Sequence, residues 1–304
     1  MIVLAFLVQT LRIATPFLLA SSGGVLSERS GVIALTLEGW MLVGAFCATL
    51  GSYYSHSPWV ALLCGVGGGV AAAAIHALAT VKYRADQVVI GIAINLLAVG
   101  ITRFFLRLAF DSSSNSPRVA GFDWFSASGG GTGGDASRLG GLVSSLANPL
   151  VVLGIVSLPA VAWLLSSTAF GLRVRAVGEK PEAAVTLGVG VARVRWIAVL
   201  GGGALAALGG TYLALEQHQF TDSMTAGRGF IALAAVIFGN WEPRRVAVAC
   251  VLFAAAETLQ IQLQGLQLIP SQFVEMIPYV LTIVALAGVV GRSLPPSALG
   301  RVDA

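Results

Sequence analysis

Hydrophobic positions along this chain come in long unbroken stretches of Leu, Ala, Val and Gly, with the polar residues gathered between them. A helix crossing the hydrocarbon of a bilayer needs about 20 such residues. On that measure the expected spans are 2–22, 32–54, 59–81, 87–110, 149–167, 196–215, 228–240, 246–264 and 273–291. The stretch from Arg228 to Asn240 is short for a full crossing. It reads as a half-helix or re-entrant element, which is tolerated only where protein covers it. A membrane barrel would instead show short segments alternating residue by residue. The expected fold is therefore all-α, a polytopic transmembrane helical bundle of about eight to ten spans forming one domain over 1–304.

Composition agrees. Hydrophobic residues make up 56% of the chain and charged residues 11%, with a mean hydropathy of +0.85, whereas soluble domains are about 25% charged. The net charge of +4 does not point to nucleic acid, because the basic residues sit mostly at span ends and no basic cluster is interleaved with aromatics. Cys47, Cys64 and Cys250 lie inside apolar runs without C-x-x-C spacing and read as small packing residues. His56, His76 and His218 show no metal-ligand spacing. Met1 to Ala20 has no basic leading region and carries Arg12 within its apolar run, so it reads as a retained span rather than a signal peptide.

Lys and Arg mark the side that faces the cytoplasm. Arg29, Lys82, Arg84, Arg173, Arg175, Lys180, Arg193, Arg195, Arg244, Arg245, Arg292 and Arg301 fall on one side, and Arg118, Arg138 and Arg228 on the other. The N-terminus is then expected outside and the C-terminus in the cytoplasm. The external loop 111–148 holds the glycine run Gly129 to Gly134 but no G-x-x-x-x-G-K-[ST] phosphate loop, and reads as a flexible connection.

The cytoplasmic loop 168–195 carries a short helix signal. Pro181 suits a first helical position, Glu182 the positive end of the helix dipole, Ala183 and Ala184 propagation, and Gly188 a C-terminal cap, with Leu187 just before it. Such a helix is either a plain linker or a rigid knob for a cytoplasmic partner. Here a resemblance appears. Gly171, Arg175, Ala176, Gly178, Ala183, Ala184 and Gly188 match the G-x-x-x-R-A-x-G-x-N-x-x-A-A-x-x-x-G pattern of bacterial ABC importer permeases of the branched-chain amino acid, ribose and nucleoside group, with Lys180 where that group has Asn. Leu26-Ser27-Glu28-Arg29-Ser30-Gly31-Val32-Ile33 with Leu37-Glu38-Gly39 resembles a block of the nucleoside and simple-sugar subgroup, with Ala34, Thr36 and Trp40 replacing its Asn, Gly and Met. Gly227 to Gly239, followed by Pro243, resembles a third block, and together they cover roughly 15–295.

The resemblance implies a multi-pass permease of the bacterial plasma (inner) membrane, translocating nucleosides or related simple sugars. It has no Walker motif or cofactor of its own and is not an enzyme. ATP and Mg would be used by a separate cytoplasmic ABC ATPase, and the other implied partners are a second permease subunit and an external substrate-binding lipoprotein. Pro181, Glu182, Ala183, Ala184, Leu187 and Gly188 would couple the ATPase to the spans. The alternative is a secondary transporter driven by an ion gradient, with Glu38 or Glu257 as its protonatable group.

Acids inside spans need an interior partner or water, which singles out Glu38, Glu257 and Glu275, with Asn95, Gln260 and Gln262 as neutral companions. Glu38 stands beside Gly39, where a helix break would expose backbone to a passing solute; it equally suits a structural carboxylate paired with backbone or Arg12. Glu257 and Gln260 share a helix face. Phe230 and Trp241 suit either stacking on a base or anchoring at the interface. The candidate pathway residues are thus Glu38, Gly39, Asn95, Phe230, Glu257 and Gln260.

Overall fold

The computed structural model of the chain describes residues 2–122, 146–266 and 294–301. Among these residues the regular elements are helices: α1 Ile2–Glu28, α2 Leu37–Ser55, α3 Pro58–Ala77 continued by a π turn Leu78–Lys82, α4 Gln87–Phe110, α5 Pro149–Ser167, α6 Ala169–Glu179, α7 Pro181–Thr186, α8 Val191–Glu216, α9 Arg228–Phe238 and α10 Pro243–Leu266. Six of them, α1, α3, α4, α5, α8 and α10, are long and apolar enough to cross a membrane. The chain is a multi-pass membrane protein. The expected span 273–291, Glu275 and the glycine run at 129–134 lie outside the described residues.

α2 is not one of the six, and its position explains why. It packs against α3, α4, α8 and α9, so it needs no lipid-compatible surface. Trp40, Met41, Leu42, Ala45, Phe46, Ala48 and Thr49 are all buried, and a wrapped helix tolerates the polar groups that a lipid-facing one excludes.

Helices in lipid gain nothing by hiding apolar surface, so they associate through close van der Waals fit between small residues. α8 carries that fit through its run Gly201-Gly202-Gly203 to Gly209-Gly210. A Cβ on Gly44 of α2 would come within 2.7 Å of Ala207, and one on Gly210 would strike the Met41 carbonyl. α8 likewise meets α1 at Gly23 and Gly202, and α3 at Gly69 and Gly203. About 67% of its best span window is buried, against 22% for α4, so α8 is the axis of the bundle and α4 lies at its edge.

Two apolar cores share this axis. Trp40, Met41, Phe46, Leu106, Leu150 and Phe220 fill one. Phe17, Leu158, Val174, Val236, Trp241 and Phe253 fill the other, under α5 and α6. Past α4, residues 114–119 pair with 218–222: Ser116 N–H donates to Phe220 O and Val119 N–H to His218 O, both at 2.8 Å.

α1 runs to Glu28 instead of ending at 22. The polar quartet Ser21-Ser22-Gly23-Gly24 does not break it, because both serine hydroxyls return to carbonyls of the preceding turn, Leu18 O at 3.3 Å and Leu19 O at 2.7 Å. Gly23 is the surface that meets α8, while Gly24 lies against Leu37 of α2 and Val236 of α9.

The α2–α8 seam predicts a contrast between two glycine substitutions. Gly210→Ala, which drives a methyl into the Met41 backbone, should cost about 1–3 kcal/mol. Gly67→Ala on α3, where nothing lies within 4 Å of the new Cβ, should be neutral or gain up to about 1 kcal/mol. Thermal unfolding of the detergent-purified protein checks both, and equal melting temperatures would remove close packing as the cause.

Candidate functional site

Between α1 and α2 the chain leaves the helix at 29–36 while buried, so its polar backbone groups need protein partners. The Ser27–Ile33 motif supplies many of them. Ser27 Oγ donates to Val32 O at 3.0 Å, and Ser30 Oγ to Ser27 O at 2.6 Å. Glu28 accepts from Ala34 N–H at 3.1 Å and from the indole N–H of Trp241. Gln87, in the first turn of α4, accepts from Ile33 N–H at 2.7 Å. Arg29 Nε donates to Trp241 O at 2.9 Å, and Arg195 Nε to Ser30 O at 3.3 Å. Gly31 sits at φ +93, a left-handed conformation that favours glycine.

Asn95 closes the segment from α4. Its Nδ2 donates to Leu35 O at 2.9 Å and its Oδ1 accepts from Gly39 N–H at 2.8 Å. Gly39 is therefore in the first turn of α2, and the break expected beside it lies at 29–36 instead. The reason is local: Asn95 occupies the space a Gly39 side chain would need.

Glu38 faces the other way, onto α9. One carboxylate oxygen accepts from Thr225 Oγ1 at 2.6 Å and Gly227 N–H at 2.9 Å; the other accepts from Gly229 N–H at 2.7 Å. A carboxylate at a helix N-terminus satisfies orphan amides and offsets the positive dipole end. Glu38 thereby holds a half-length helix that starts inside the bundle. Its partner is this N-terminus and not Arg12.

Arg12 pairs with Glu216, at the end of α8. Both line a cavity of about 430 Å³ between α1, α8, α9 and α10, together with Gln9, Tyr212 and Arg228. Arg228, the first residue of α9, is bonded at 2.7 Å to Glu257 midway along α10. The cavity thus presents fixed donors and acceptors of both signs inside an apolar bundle, a pattern that marks solute pathways.

On the opposite flank of the 29–36 segment lie α6 and α7. Thr168 caps α6, its Oγ1 accepting from Gly171 N–H at 3.0 Å. α7 is shorter than expected, Pro181–Thr186, and Lys180 gives it no side-chain cap. Its end is a two-bond cap: Gly188 N–H donates to Val185 O at 2.9 Å and Val189 N–H to Ala184 O at 3.0 Å. Gly188 takes φ +77 there, as the motif requires. Pro181 and Ala184 are buried, while Glu182 and Ala183 face out. Leu187 is 82% exposed and Val185 57%. Gly178 lies against the Arg29 carbonyl so closely that no Cβ fits.

The sequence candidates therefore separate. Glu38, Gly39 and Asn95 meet at the start of α2, Glu257 reaches the cavity through Arg228, Phe230 on α9 is 47% exposed, and Gln260 is half-buried on α10. Sequence reasoning missed Glu216, Tyr212 and the α9 cap formed by Thr225, Gly227 and Gly229. The visible signal was Arg12, a charge within an apolar run that had to have a partner.

Among the described residues, a helical membrane bundle with a covered half-helix, a charged cavity and an exposed short helix fits a membrane transport subunit. The family model described as branched-chain amino acid transport system / permease component matches residues 6–286, and the chain belongs to that family. It is 39% identical to the guanosine ABC transporter permease protein NupQ of Bacillus subtilis, over 96% of this chain and 93% of that protein. It is 37% identical to the nucleoside ABC transporter permease protein NupC of Lactococcus lactis, over 94% and 92%. The putative glucose ABC transporter permease protein TsgC13 of Haloferax volcanii is 35% identical over 85% and 78%. No solved structure gives a significant match.

The Glu38 cap has a direct test. Hydrogen bonds to a charged acceptor contribute about 1.5–3 kcal/mol, so Glu38→Gln should speed amide exchange at Gly227 and Gly229 by at least about tenfold. Hydrogen-exchange mass spectrometry in detergent reads this directly. Unchanged protection would mean that α9 is held by its apolar face alone.

Proposed function

We propose that this chain is the nucleoside-translocating permease subunit of an ATP-driven importer in a bacterial plasma membrane, with its N-terminus outside and its C-terminus in the cytoplasm. Support comes from the two nucleoside-system relatives, which align over nearly the whole chain, and from the exposed α7 knob, whose neighbour α6 lies against the Arg29 carbonyl at Gly178. The sequence carries no phosphate loop, so a separate ATPase using ATP and Mg supplies the energy. A second permease and an external lipoprotein complete the assembly.

In this reading Val185 and Leu187 insert into the ATPase, and motion of α6 and α7 passes through Gly178 to Arg29 and on to α2. Glu38 then carries α9 with α2. A nucleoside is neutral and rich in hydroxyls and ring donors, so it needs both donors and acceptors from its route. Arg12, Glu216, Arg228 and Glu257 offer both.

Reconstitution with the ATPase, the second permease and the lipoprotein tests the proposal. Guanosine should stimulate ATP hydrolysis and enter vesicles only with ATP; entry that ignores ATP and collapses with the proton gradient would sink it. Leu187 is 82% exposed, so Leu187→Asp should abolish uptake without lowering the melting temperature. Glu182→Lys and Gly188→Val should uncouple hydrolysis from uptake, the latter because φ +77 strains a β-branched residue by about 1–2 kcal/mol. Normal uptake in all three would make the loop a linker. Separately, Glu257→Gln should raise the uptake KM about tenfold while leaving unstimulated ATP hydrolysis alone; an unchanged KM would remove the cavity from the route.

A further inference from the structure

Three arginines from distant parts of the chain converge where α5 and α10 meet α6. Arg29, Arg175 and Arg244 line a cavity of about 270 Å³ together with Ser166 and Glu242. One oxygen of Glu242 is engaged by Arg245 at 2.9 Å, and its single negative charge does not balance the three arginines beside it. Arg29 gives its Nε to the Trp241 carbonyl, leaving its terminal nitrogens. Arg175 and Arg244 are exposed and form no ion pair among the described residues. Burial lowers the pKa of the Arg29 guanidinium, Glu179 and Glu242 act against that, and Arg175 adds to it.

The basic cavity is not closed. It shares Ala162, Ser166, Pro243 and Arg244 with a second hollow of about 520 Å³, which continues between α5 and α10 past Leu158, Pro159, Trp163 and Ala247. Trp163 stands at its edge, 64% exposed, as aromatic residues do at a membrane interface. One end of this trough is cationic and the other apolar, and it runs along helices that cross the bilayer.

We propose that this trough binds one anionic phospholipid, its phosphate held by Arg29, Arg175 and Arg244 and an acyl chain lying along Pro159, Trp163 and Ala247. Guanidinium groups suit phosphate through paired N–H donors, and basic pockets between membrane helices are sites for acidic headgroups. A free phosphate would use only the basic end, and a soluble acidic protein would leave the apolar groove empty. The site also touches coupling, since Arg175 belongs to α6 and Arg29 to the unwound segment. It does not depend on the solute being a nucleoside.

The test uses full-length protein purified and stripped of lipid, then titrated with phosphatidylglycerol, phosphatidylcholine or inorganic phosphate and followed by native mass spectrometry and melting temperature. Phosphatidylglycerol should bind and raise the melting temperature, while phosphatidylcholine and millimolar inorganic phosphate should not. The double variant Arg175→Gln/Arg244→Gln should weaken phosphatidylglycerol on the order of tenfold, and Arg193→Gln, an exposed arginine that lines neither hollow, should leave it unchanged. Should the double variant fold poorly, Trp163→Ala should weaken long-chain phosphatidylglycerol more than its short-chain analogue. Equal binding of phosphatidylcholine, stabilisation by inorganic phosphate alone, or variants that bind like the parent would overturn the proposal.

Discussion

Backbone amides and carbonyls that leave a helix while buried in protein find no water to replace the lost bonds, and the 29–36 segment lives under that constraint. Glu28, Gln87 and Asn95, from two different helices, supply its bonds. The chain's far end joins them: Gly300 N–H donates to Gly31 O at 3.1 Å, and Ala298 N–H to Gly178 O at 2.9 Å. Almost everything functional hangs on this knot. It sets where α2 begins, and hence where Glu38 points and where α9 starts. It also gives α6 its seat, through Gly178.

Much of the fold was legible because lipid enforces simple rules. Long apolar runs had to be helices, and the short run after Gly227 had to be covered. The grammar of α7 was readable because Pro181 and Gly188 act on their immediate neighbours. What sequence reading could not supply were partners set by tertiary contact. Glu38 read either as a group for a passing solute or as a carboxylate paired with backbone or Arg12, and its donors Thr225, Gly227 and Gly229 lie on a distant part of the chain. Asn95 looked like a pathway companion and instead spans a backbone gap. Serine hydroxyls that bond back into their own helix hid the true end of α1.

The polar groups of the bundle fall into two kinds with different freedom. Glu28, Glu38 and Asn95 are bonded mostly to backbone, so moving them would orphan amides in a water-poor interior; they move with their segment or not at all. Arg12 with Glu216 and Arg228 with Glu257 form two pairs at a cavity lined by the first three, with side chains about 20–41% exposed. Pairs with partial access to water exchange partners at little cost. The first group therefore suits transmission and the second suits transient contact with a solute.

Under the proposed function, that division gives the short α7 helix a route to the cavity across the bundle. Gly178 has no side chain to compress against Arg29 O, so a shift of α6 is not absorbed at that contact. The segment beyond it is cross-linked by hydrogen bonds to α1, α4, the 239–242 turn and the C-terminal residues 298–300. It cannot deform in one place without breaking bonds elsewhere. In the proposed transporter the motion left open is a tilt of α9 with the end of α2 that Glu38 clamps, the body of α2 being close-packed on α8. Because Arg228 opens α9 and holds Glu257 of α10, such a tilt would open or shut the charged cavity directly, with no further moving part.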